Sequence, residues 1–166
     1  MAEADLSALP EEKSARYRVL AREISAVVAG EPFAVARYAT AACLLHQGFA
    51  ERFLWTGFYL VDPAKPGELV VGPYQGTLGC LRIPFGKGVC GTVAAEGKPL
   101  IVPDVEAFPG HIACDSRSRS EIVLPVFDAE GALAAVLDID SAELAAFDEE
   151  DLAGLAEICH QLLTTP

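Results

Sequence analysis

SEIVLPVFDAEGALAAVLDIDS, residues 120–141, reads as two strands and the turn that joins them. SEIVLPVFD is apolar and rich in branched side chains, AEG supplies turn chemistry, and ALAAVLDIDS is apolar again, so the stretch predicts an antiparallel hairpin. Besides Asp128 and Glu130 at the turn, three acids interrupt the strands. Glu121 stands at the head of the first strand, and Asp138 and Asp140 lie two apart on the second, which points both to one face. Carboxylates are depleted in strands, and a buried charge without a partner is costly. The pair therefore calls for a cation, hydrogen-bond donors or a metal, unless that face is simply wet near the strand end.

Working outward, the same signals recur. RFLWTGFYLV (52–61) and LVVGPYQG (69–76) predict a second hairpin around the turn residues DPAKPGE. Between Gly79 and Asp115 the chain is broken by Gly and Pro. It offers a short strand at CLRIPF, a GKG turn, a short helix at VCGTVAAEG, a brief strand at KPLIVPD and a long loop, VEAFPGHIACDSRSR, of a length that is often functional. Apolar residues at three- and four-residue spacing predict helices over 10–29 and from Phe33 to Phe49. A last helix starts at Asp148, with Asp151 three residues on in a capping-box pattern, and runs to 165. The expected fold is one α/β domain of the α+β type spanning 1–166. It has N-terminal helices in 1–50, a mostly antiparallel sheet with its loops in 51–140, and a C-terminal helix in 148–165.

Composition removes several function classes. The chain has 166 residues and a formal net charge of −12, with no basic cluster beyond RSR at 117–119, the opposite of what counterion release on nucleic acid needs. No apolar run is long enough for a membrane span, and the N-terminus lacks the apolar centre of a signal peptide, so a cytoplasmic protein is expected. Five cysteines, an odd number, argue against a structural disulfide framework.

The cysteines sort by context. Cys43 and Cys159 sit on apolar helical stretches, where a thiol acts as a small hydrophobe, and the nearby His46 and His160 are given no role. Cys80, Cys90 and Cys114 lie in the Gly/Pro-broken middle, flanked by small residues. Cys90 is near the start of a short helix, where partial positive charge favours a thiolate. A zinc site would combine these three with His111, but gaps of ten and twenty-four residues fit poorly with close ligand pairs. In WTGFY, Trp55, Gly57 and Tyr59 share a face. Two rings about an empty glycine suggest a slot for an apolar or cationic group, or plain core.

Taken together, a thiolate, an acid, spare thiols and an aromatic slot suit the reduction of a sulfoxide. Protonation of the oxygen makes the sulfur electrophilic, a thiolate attacks and becomes a sulfenic acid, a second cysteine traps it as a disulfide, and a dithiol restores the enzyme. Paired aspartates would hold an ammonium group, which points to a free amino acid.

RIPFGKGVCG, FPGHIACD, SEIV and LDIDS as a set closely resemble the free methionine-R-sulfoxide reductases, a family of GAF-domain enzymes, from about Trp55 to the C-terminal helix. The resemblance implies a GAF-like fold and reduction of free L-methionine (R)-S-oxide, with a thioredoxin-type reductant, no cofactor or metal, and a homodimer. By the same resemblance Cys114 is the attacking thiolate, with Cys90 the alternative attacker and otherwise an accessory thiol, and Cys80 is the resolving partner. Glu121 is the acid at the sulfoxide oxygen, Asp138 and Asp140 hold the polar end of the substrate, and Trp55 and Tyr59 line its methyl and side chain. One departure is visible: Ala135 stands where glycine is expected before VLDIDS, and its methyl is expected to narrow the pocket. The alternative is a non-catalytic GAF sensor of small molecules or oxidants, which has no need of Glu121.

Overall fold

The computed structural model describes residues 4–163, so the last expected residues of the C-terminal helix, 164 and 165, lie outside the described residues. Two helices, α1 (Lys13–Val28) and α2 (Ala34–Gly48), precede β1 (Trp55–Val61), β2 (Glu68–Gly76) and β3 (Arg82–Pro84). Helix α3 (Gly88–Glu96), β4 (Leu100–Val102), a 3-10 turn (Val105–Ala107), β5 (Ser120–Phe127), β6 (Leu133–Ser141) and α4 (Glu149–Leu163) follow. The strands form one six-stranded sheet in the order β3-β2-β1-β6-β5-β4, with every neighbouring pair antiparallel. This is the α+β arrangement the hairpin signals predict.

Two apolar clusters divide the sheet's faces. Phe58 of β1, Ile122 and Leu124 of β5, and Leu137 and Ile139 of β6 pack with α1, α2 and α4 on one side. Trp55, Tyr59, Val123 and Val136 pack with α3 on the other. Strand alternation thus sends Ala135, Leu137 and Ile139 to the helical core and Val136, Asp138 and Asp140 to the opposite face. Ala135 is fully buried among the helices, so its methyl cannot narrow the pocket as expected.

The predicted capping box at α4 is present. The Asp148 amide donates to Asp151 Oδ2 at 2.9 Å, and the Asp151 amide donates back to Asp148 Oδ1 at 3.3 Å. Asp151 is fully buried and also ties three elements together. It accepts from Tyr17 Oη at 2.9 Å, from Lys13 Nζ at 3.0 Å and from Arg52 Nη1 at 3.5 Å. Among the described residues no helix is long and apolar enough to cross a membrane.

Candidate active site

The face opposite the three packed helices carries a pocket floored by β1, β5 and β6 and roofed by α3 and two loops. Sheet register places its acids. Glu121 of β5 pairs with Asp140 of β6, and Asp138 pairs with Val123 on one side and with Gly57 of β1 on the other. Trp55 is opposite Asp140, so the aromatic wall and the carboxylates share one surface. Seven of the eight residues expected from the sequence line this one pocket, and the eighth, Cys80, joins it through its bond to Cys114.

Cys80 and Cys114 form a disulfide, with α-carbons 5.2 Å apart, that links the loop after β2 to the loop before β5. Cys114 is exposed and Cys80 half-buried, so the bond sits at the mouth. Cys90 lies inside, buried, its Sγ 3.8 Å from Glu121 Oε1. The zinc set weighed from sequence is therefore broken up, since two of its four members are bonded to each other. A different set lies closer. One ligand atom from each of Cys90, Glu121 and Asp138 falls within 4.8 Å of the others, and these are the residues that could hold a metal ion.

Burial dominates the electrostatics. It pushes the Glu121 carboxyl well above the usual carboxylate range, and the neighbouring Asp138 and Asp140 add to the rise. Burial, then Asp140, does the same for Asp138, while Asp140 itself is raised to about 6, chiefly by burial. Among the described residues no lysine or arginine lines the pocket to offset the buried Glu121, Asp138 and Asp140. Ser118 Oγ donates to Asp140 Oδ1, whereas Asp138 Oδ1 is buried and has no hydrogen-bond partner. The helix-start argument for Cys90 fails here. Cys90 is the third residue of α3, but complete burial, followed by Asp138 and Glu121, holds its thiol well above its ordinary value.

The aromatic wall also differs from the open slot. Trp55 stacks on Tyr59 at 5.5 Å between centroids and on Tyr74 at 5.2 Å. The space that Gly57 leaves is filled, because a Cβ there would overlap Tyr74 and the Trp55 ring. The two rings form a continuous surface rather than a gap, pinned by a Trp55 Nε1 donation to the Thr77 carbonyl at 3.0 Å. At Gly79 a Cβ would come within 3.0 Å of Tyr59 Oη and 3.1 Å of the Trp55 ring, so the bare backbone lets the cysteine loop lie on this wall.

Sequence reasoning passed over several lining residues. His111, weighed only as a zinc ligand, places Nε2 3.8 Å from Glu121 Oε2. Thr77 Oγ1 donates to Asp115 Oδ2 at 2.6 Å, and Arg117 pairs with the same carboxylate at 2.8 Å, holding Asp115 well below the usual range. These contacts close the mouth loop onto the loop after β2. Only the Asp-x-Arg spacing of 115 and 117 hinted at them.

Comparison with known proteins agrees with this geometry. Residues 14–164 match the GAF domain family. The chain is 45% identical over 151 residues to Protein YtsP of Bacillus subtilis, covering 91% of each chain. It is 42% identical over 150 residues to the free methionine-R-sulfoxide reductase of Escherichia coli K12, covering 90% of this chain and 88% of that one. The crystal structure of free methionine-R-sulfoxide reductase from Neisseria meningitidis in complex with its substrate superposes with a TM-score of 0.91 at 47% identity, covering 99% of this chain and 95% of that one. The chain belongs to the GAF-domain family and, within it, to the free methionine-R-sulfoxide reductases.

Proposed function

We propose that the protein reduces free L-methionine (R)-S-oxide to L-methionine. The observation that carries this reading is the Cys80–Cys114 disulfide at the mouth of a pocket whose floor buries Glu121, where burial pushes its carboxyl well above the usual carboxylate range. In the reduced protein the Cys114 thiolate attacks the sulfoxide sulfur while Glu121 gives its proton to the oxygen. The substrate sulfur gains two electrons and leaves as a thioether, and Cys114, having lost two, carries the oxygen as a sulfenic acid. Cys80 then attacks Cys114 Sγ, a sulfur–sulfur bond forms, and the oxygen departs as water. One sulfoxide and two thiols give one thioether, one disulfide and one water.

Cys114 suits the first attack better than Cys90. Cys90 is buried against acids that oppose its ionisation, which fits an accessory thiol donating toward Glu121. Asp138 and Asp140 hold the substrate ammonium, the cation this pocket lacks. Trp55 and Tyr59 pack on the methyl and side chain. The homodimer, the cytoplasmic setting, the thioredoxin-type reductant and the absence of a resident cofactor belong to the same proposal.

Incubating the protein with each free epimer and dithiothreitol tests it. Loss of the R epimer alone, with methionine appearing in equal amount, supports the reading. No loss of either epimer overturns it and leaves a ligand-binding GAF domain.

A further inference from the structure

The described surface exposes five large apolar side chains, and three of them adjoin the disulfide. Leu78 (79% exposed) is two residues before Cys80, Leu81 (70% exposed) directly follows it, and Ile112 (36% exposed) is two residues before Cys114. Ile112 also lies against Gly88 at the start of α3. Scattered apolar residues on a surface need no explanation, but three of the five lying within two residues of one disulfide, two of them lining its pocket, do. Leu81 contributes little to the fold, since its backbone carbonyl, not its side chain, serves the ladder by accepting from the Val71 amide at 3.1 Å.

We infer that Leu78, Leu81 and Ile112 form the seat on which a protein dithiol docks to reduce Cys80–Cys114. This rests on the reductase reading, and it assigns the partner's chemistry: a dithiol set in a surface with an apolar, uncharged rim. A partner thiolate attacks Sγ of Cys114, the more exposed of the two cysteines, and the Cys80–Cys114 bond breaks with Cys80 leaving as thiolate. The partner's second thiol then attacks the mixed disulfide, freeing Cys114. The partner gives up two electrons and closes its own disulfide, and the chain ends with two thiols. A small dithiol needs no seat, because it touches only sulfur.

The experiment compares two reductants on the same protein. Methionine (R)-S-oxide reduction is driven either by dithiothreitol or by a thioredoxin with its reductase and NADPH. Leu81→Ser, and Leu81→Glu as a stronger variant, should raise the KM for thioredoxin roughly ten-fold, the effect of losing one interface anchor. Turnover with dithiothreitol and the KM for the sulfoxide should stay within about two-fold. Phe33→Ser, at an exposed apolar site on α2's N-terminal end, is the control and should change neither. Equal thioredoxin KM values in wild type and both Leu81 variants would overturn the docking seat, as would parallel losses with both reductants. Absence of dithiothreitol-driven turnover in the wild type would instead remove the reductase reading beneath it.

Discussion

Glu121 and Asp140 stand directly opposite each other in the β5–β6 ladder, with Asp138 one diagonal step away on the same face. Like charges so placed destabilise a sheet, and burial raises the cost further. Burial pushes all three carboxyls above the usual range, which favours protons on the cluster while no cation is bound. In the proposed reaction a substrate ammonium would supply the missing positive charge, and Glu121 would supply the proton for the chemical step.

Stability should therefore fall with rising pH. Glu121, Asp138 and Asp140 are raised above their unfolded values, so the folded state binds more protons, and its advantage is lost as pH climbs from about 4 through about 6 for Asp140 and beyond for the other two. Asp115 and Asp148 are held low and act in the other sense, but their contribution is complete by about pH 5. Thermal melts should show Tm dropping by about 5 °C between pH 5 and 8. Asp140→Asn and Glu121→Gln should flatten the profile, and a Tm that climbs over this interval would contradict the assignment.

Glu121→Gln keeps the shape of the side chain and removes its proton. It should lower kcat by about 10²- to 10⁴-fold and change KM much less, because the proton moves only in the transition state. A change confined to KM would make Glu121 a binding residue.

The three pocket thiols separate in single-turnover experiments. Cys114→Ser should abolish even the first stoichiometric reduction. Cys80→Ser should allow one reduction and leave a sulfenic acid on Cys114 that dimedone captures. If Cys114→Ser completes its first turnover, the nucleophile is Cys90.

Asp151 tests the scaffold rather than the chemistry. Asp151→Asn leaves Lys13 and Arg52 without their buried partner and should cost about 3–5 kcal/mol in urea unfolding. Tyr17→Phe removes one hydrogen bond to it and should cost about 1 kcal/mol. Activity per folded molecule should be unchanged in both.

Period-two reading places Trp55, Tyr59, Asp138 and Asp140 correctly, because alternation along a strand survives folding. Its limits are tertiary. The space over Gly57 is filled by Tyr74, which a register irregularity in β2 near Gly72 and Pro73 brings opposite it; nothing local to WTGFY signals that. The Cys90 thiolate fails for a similar reason, since position in a helix is local and burial among acids is not. Ala135 was within reach of the same alternation: it falls in step with Leu137 and Ile139, away from the acids. Ser118 and His111 become visible only when two loops close over the sheet.

The placement of the acids has a consequence for how the site is maintained. Leu137 and Ile139 fit among α1, α2 and α4 only when Asp138 and Asp140 turn the other way. A slip of β6 by one position would drive two carboxylates into that packed interior and lift the leucine and isoleucine out of it. Helices on the far side of the sheet thus act as the gauge that aims the pocket's carboxylates, so a change in their packing would be felt across the sheet.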